Sequence, residues 1–132
     1  MPFEEIPHTA DWSLRVWAMD LPVLFIEAAR GMVAIAGTRL AAGPRTSRTI
    51  VSIAPDHESL LVSFLSELLY IGEQEKLAFD EFKIKIEAER LSAEVVGAPI
   101  LSIDKIIKAV TYHNLQIRQT SKGYEVEIVF DV

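Results

Sequence analysis

Asp11 and Asp131 stand near opposite ends of the sequence, each on the polar side of a segment whose side chains alternate. If those two segments run side by side, their carboxylates converge and offer oxygen donors to a hard divalent ion such as Mg²⁺, Ca²⁺ or Mn²⁺. The α-carboxylate or carbonyl of Val132 could supply a third donor. The plainer alternative is that both aspartates are solvated residues at strand ends, where polar side chains are common. His8, just ahead of the first alternating segment, reads as a turn residue or hydrogen-bond donor and is placed beside the site rather than among its ligands. Lys108 opens a β-rich segment and reads on its own as a lysine at a strand edge, with its stem on apolar surface. Glu67 falls opposite part of a leucine stripe and reads as solvated, while Trp12 and Trp17 read as core and rim aromatics rather than stacking platforms for bases.

Other chemistries are harder to build from this chain. It has no cysteine, which removes disulfides, thiolate zinc sites and cysteine nucleophiles together. His8, His57 and His113 are too widely spaced to put two imidazoles on one metal by a short motif. There is neither a glycine-rich dinucleotide fingerprint nor a Walker lysine loop, and no nucleophile with an evident base. A formal net charge of −6 argues against a broad, direct grip on nucleic acid, whose affinity comes mostly from lysine and arginine at phosphates. If the protein acts in RNA metabolism, a basic protein partner accounts for that charge better.

The elements that must position these residues follow from periodicity. Ala10 to Ala18 alternates, with Trp12, Leu14 and Val16 on one side, which predicts a half-buried strand. Asp20 then occupies an N-cap position and Pro22 the first turn of a helix whose apolar residues run from Leu24 to Ala36, with Gly37 ending it. Thr49-Ile50-Val51 with Ile53 predicts a second strand, after a loop over Ala41 to Ser47. Asp56 caps a second helix with a stripe of Leu60, Leu61, Phe64, Leu65, Leu68 and Leu69, ending near Gly72.

Strands are expected over Phe82 to Glu87 and from Leu91 to a stop at Gly97. Lys108 to Arg118 is expected as a strand with a bulge or bend near His113 and Asn114, and Lys122-Gly123 as the turn into a final strand through Phe130. The resulting class is α+β: one domain over residues 1–132, with two long helices packed on a largely antiparallel sheet. The N-terminus carries no apolar run of the secretory kind, and the most apolar stretch falls short of a bilayer span, so a cytoplasmic protein without membrane contact is expected.

Four segments together resemble the archease family: His8-Thr9-Ala10-Asp11, Leu60-Leu61 through Glu67-Leu68-Leu69-Tyr70, Lys108-Ala109-Val110-Thr111-Tyr112-His113, and Phe130-Asp131-Val132. They occur in family order over nearly the whole chain. The resemblance implies duplicated strand-helix-strand-strand (SHS2-like) modules. It also implies an accessory role without catalysis of its own, in which archease promotes GTP-dependent guanylylation and repeated turnover of the RtcB-type RNA ligase of tRNA splicing. Carried over, the family's metal site falls on Asp11, Asp131 and Val132, with Lys108 at the same end of the molecule. The sequence departs from the family pattern at Pro7 and at Gly97-Ala98-Pro99, where acidic residues are common, and fewer carboxylates mean weaker metal affinity. Two other readings stay open here: a metal-independent chaperone or modulator of RNA-processing proteins, and a small metal-dependent hydrolase built on the same two aspartates.

Overall fold

The protein is described here from a computed structural model, which covers residues 2–6 and 11–132. In chain order the elements are β1 (Phe3–Ile6), β2 (Trp12–Ala18), α1 (Leu21–Ala36), β3 (Arg39–Leu40), β4 (Thr46–Ile53), α2 (His57–Glu75), β5 (Leu77–Glu87), β6 (Arg90–Ser102), β7 (Ala109–Val110), β8 (Arg118–Thr120) and β9 (Gly123–Asp131). All strand pairs among them are antiparallel. They divide into two sheets. One has the order β1-β2-β9-β7, with β8 also on β9; in the other, β6 is paired by β3, β4 and β5. Each helix packs against strands of both sheets, so the core lies between them. The fold is a mixed α+β arrangement of two helices on antiparallel sheets, and β4, α2, β5 and β6 form one strand-helix-strand-strand run.

Both helices begin where their caps predict. The Asp20 carboxylate accepts the Val23 N–H at 2.9 Å, and the Asp56 carboxylate accepts the Ser59 N–H at 2.7 Å, each satisfying a first-turn donor that has no partner within the helix. Gly37 ends α1 in the left-handed region at φ 64°, and its N–H donates to the Ala34 carbonyl. The second helix runs past Gly72 to Glu75 and ends instead at Lys76, which adopts φ 57°. Within the core, Phe25 of α1 and Phe64 of α2 stack at 6.3 Å between ring centroids, and both are fully buried.

The Ser59 backbone bond also holds the Asp56 carboxyl below its ordinary pKa. A carboxyl depressed in the folded state stabilises above its unfolded pKa and loses that contribution as pH falls through the folded value. Asp56→Ala should therefore melt at a lower temperature than the parent near neutrality, and the gap should close in strong acid. Parallel thermal melts at neutral and strongly acidic pH check this; a gap that persists in acid would mean that the cap's charge plays no part.

Three sequence expectations need amendment, and two strands escape the sequence patterns altogether. β6 does not stop at Gly97 but continues to Ser102, and the same glycine is what permits it: a Cβ there would run into the carbonyl of Ala78 on β5. The segment after Lys108 is a two-residue strand followed by a turn, in which Asn114 takes φ 51°, rather than one long bulged strand. β5 begins at Leu77, five residues before the alternation becomes visible, because a register shift between Phe79 and Glu81 breaks the period. Finally, β1 and β3 carry no pattern of their own and exist through pairing with β2 and β6.

Candidate functional site at the end of the central strands

The end of β9 brings together most of the residues singled out in the sequence. β2 and β9 pair in register from Ala18↔Tyr124 to Trp12↔Phe130, so Asp11 and Asp131 lie at the same end of the ladder, each one residue beyond its last pair. Carried one step further, the same register would set the two opposite each other, and directly opposed residues of an antiparallel pair have Cβ atoms about 5 Å apart, a spacing that one bound cation can bridge. Both aspartates are exposed, while Phe130 between them and the core is fully buried. Alternation explains this division: Val126, Ile128 and Phe130 face inward, and Asp131 takes the opposite side.

On the other flank of β9, β7 pairs Ala109 with Asp131, and the Lys108 N–H donates to the Asp131 carbonyl at 2.8 Å. That bond fixes the backbone of Asp131 and makes Lys108, itself exposed, its neighbour. Thr111 strengthens the same attachment, since both its N–H and its hydroxyl donate to the Val129 carbonyl. The side chain of Val132 packs half-buried on the core, leaving its backbone oxygens next to Asp131. His8 lies outside the described residues.

This end of the molecule presents an oxygen-only donor set, with one amine beside it. Among the described residues no cluster of three or more His, Asp or Glu side chains is gathered that could hold a metal alone, so any cation here would need backbone oxygens and water to complete its shell. The donor chemistry fits a hard divalent ion and not a soft one. One polar group nearby went unnoticed in the sequence. The hydroxyl of Ser13, two residues after Asp11, is fully buried and has no hydrogen-bond partner among protein atoms. Its place among the polar residues of an alternating strand made it look solvated; its burial against Val129 and Ile6, its register partners, is a property of the assembled sheet.

Glu67 and Trp17 are exposed, as expected for a solvated helix residue and a rim aromatic, and Trp12 is half-buried on the core. The Lys105 amine sits over the Trp12 ring, 5.6 Å from its centroid. No described helix is long and apolar enough to cross a membrane.

Comparisons with known proteins bear on the whole of this arrangement. The model of the Archease protein family matches residues 3–132. The archease of Methanosarcina barkeri is 35% identical over 140 residues, covering 98% of this chain and 95% of that protein. The archease of Methanopyrus kandleri is 30% identical, with each chain covered in full. Among solved structures, the Thermotoga maritima archease, described as a possible chaperone, superposes with a TM-score of 0.72 at 22% identity, covering 98% of this chain and 96% of that one. The solution structure of Methanobacterium thermoautotrophicum protein 1598 gives the same TM-score at 24% identity, with 99% of each chain covered. With the fold shared from end to end and the family's sequence pattern spanning nearly every residue, this chain belongs to the archease family.

Proposed function

We propose that this protein activates an RtcB-type RNA ligase in tRNA splicing, promoting its GTP-dependent guanylylation and repeated turnover through the exposed end of β2 and β9. The observation that carries the reading is the pairing that leaves Asp11 and Asp131 together at one end of the two strands, each one residue beyond the last pair, with Lys108 tied to the backbone of Asp131. Asp11, Asp131 and the backbone oxygens of Val132 would hold a divalent cation, Ca²⁺, Mg²⁺ or Mn²⁺; bound there, it supplies positive charge that phosphate oxygens can share.

The part played by the chain's own residues is positional. Asp131 ends a strand held by β7 on one flank and β2 on the other, so it can be presented to a partner's active site with little loss of conformational freedom. Lys108 adds a cation that can meet a phosphate oxygen or a carboxylate of the partner. Nucleotide, nucleophile and RNA then belong to the ligase, and the archease acts as an accessory protein in the cytoplasm without a reaction of its own. A net charge of −6 suits a basic, RNA-binding partner.

The test is guanylylation of a cognate RtcB-type ligase with GTP and Mn²⁺, with and without a substoichiometric amount of this protein. Faster guanylylation continuing over many cycles is expected. No effect on a ligase that needs assistance would reject the role and favour the second reading, a metal-independent chaperone of RNA-processing proteins, which the description of the Thermotoga maritima relative brings forward.

A further inference from the structure

A groove of about 840 Å³ runs between the C-terminal halves of α1 and α2, over the start of β5 and under the 103–108 segment. Its lining is mainly apolar, with Met32, Leu69, Phe79 and Ile107 among the deeper side chains. The apolar surface does not end at the groove's lip. Tyr70, Ile103 and Ile106, which line it too, are 59%, 42% and 70% exposed. A small ligand lying in the groove would leave those three side chains in water, whereas a longer apolar face laid along it would cover them.

The charge of the lining runs against that of the protein. Its charged residues are Glu73, Lys76, Lys105 and Lys108, three cations to one anion, on a chain of net charge −6. The ion pairs among the described residues use Arg15, Arg30, Arg45, Arg48, Lys85 and Arg118, and none of the groove lysines. None of the three is held in an ion pair among the described residues, although Lys105 rests over the Trp12 ring, so their charge can still meet an incoming anion and draw a negatively charged partner to this face.

From the trough between two helices, the protruding apolar lip and the local positive charge, we infer that this groove is a docking site for an acidic amphipathic helix of a partner protein. Its apolar stripe would lie between α1 and α2, and carboxylates flanking the stripe would meet Lys76 and Lys105. The inference rests on the groove with its Lys76 and Lys105 and not on the aspartates, and only Lys108 borders both places.

The test uses two labelled synthetic helices with the same leucine stripe, one flanked by glutamates and the other by lysines, titrated with the full chain and followed by fluorescence anisotropy. The glutamate helix is expected to bind about tenfold or more tightly than the lysine helix and to weaken as salt rises. Ile106→Glu should weaken the glutamate helix by about tenfold, and Lys76→Glu combined with Lys105→Glu should reverse the preference, a change that simple unfolding cannot produce. Asp131→Ala should bind both helices as the parent does, which separates this site from the aspartates. Equal binding of the two helices, or binding of neither, would overturn the inference; so would binding of dodecanoate in the groove without either helix, which would make it a site for small amphipathic anions.

Discussion

Asp131→Ala is expected to bring the assisted guanylylation of an RtcB-type ligase back to the unassisted rate, and Asp11→Ala should do the same. Each substitution removes one of the two side-chain carboxylates on which the proposed site rests, and among the described residues no group of three or more His, Asp or Glu could replace it. With so few donors, loss of one leaves no set able to hold a divalent ion at ordinary concentrations, and a fall of about a hundredfold or more in stimulation follows. Neither aspartate is buried, so the thermal melts of both variants should match the parent and the loss cannot be blamed on unfolding. Full stimulation by both variants would sink the role of the aspartates and leave the chaperone reading in front. The same variants also test the metal apart from the ligase: calorimetric titration with Mn²⁺ should give heat with the parent and none with either variant.

Gly97→Ala should damage the fold severely. The added methyl would meet the Ala78 carbonyl and the Phe79 Cα, both backbone atoms of the paired strand β5, so no side-chain rotation can make room. Separating β5 from β6 at that point costs on the order of 3 kcal/mol or more, a large part of the roughly 5–15 kcal/mol that holds a domain folded. Gly72→Ala provides the contrast, since a Cβ at that position in α2 meets only ordinary contacts, the nearest being the Leu77 carbonyl at 3.4 Å. Alanine's better helix propensity should then make that variant slightly more stable than the parent. Urea unfolding of the three proteins decides the matter: a Gly97→Ala midpoint equal to the parent's would show that the two strands can part at little cost.

The two helices and the strands with clean alternation were legible because each carries its signal within a few residues of itself. Asp20 and Asp56 announce the starts of α1 and α2, and the stripes from Leu24 and Leu60 show which sides they bury. What the sequence concealed was set by partners far along the chain. β1 is Phe-Glu-Glu-Ile, which has no period; Glu4 is held by Arg15 across the strand pair, and Phe3 lies against the bare backbone of Gly31. The later half of β6, with Ala98 and Pro99, looks like a turn, yet Pro99 pairs opposite Leu77 and its carbonyl accepts the Ala41 N–H. The division into two sheets has no local signature at all.

For the site, residue types pointed to Asp11 and Asp131, but their meeting depended on whether β2 and β9 were neighbours. The register supplies that fact. Lys108 read on its own only as a lysine at a strand edge, and its link to the site needed the family resemblance, because what ties it to Asp131 is a backbone hydrogen bond to which its side chain contributes nothing. Ser13 gave no warning, since a buried hydroxyl and a solvated one look alike in an alternating strand.

The central position of β9 has a consequence for the order in which the protein is made. β9 follows every other element in the chain, yet its sheet is organised around it: Arg15 and Glu125, which meet across the β2–β9 pair, are 110 positions apart. β4, α2, β5 and β6 succeed one another directly and can close on themselves early in synthesis, with short loops and small entropic cost. Leu14 and Val16, by contrast, leave the ribosome long before the strand that flanks them exists. During translation, then, the apolar side of β2 has no strand to cover it on that flank until β9 is made, and the aspartates cannot come together before then.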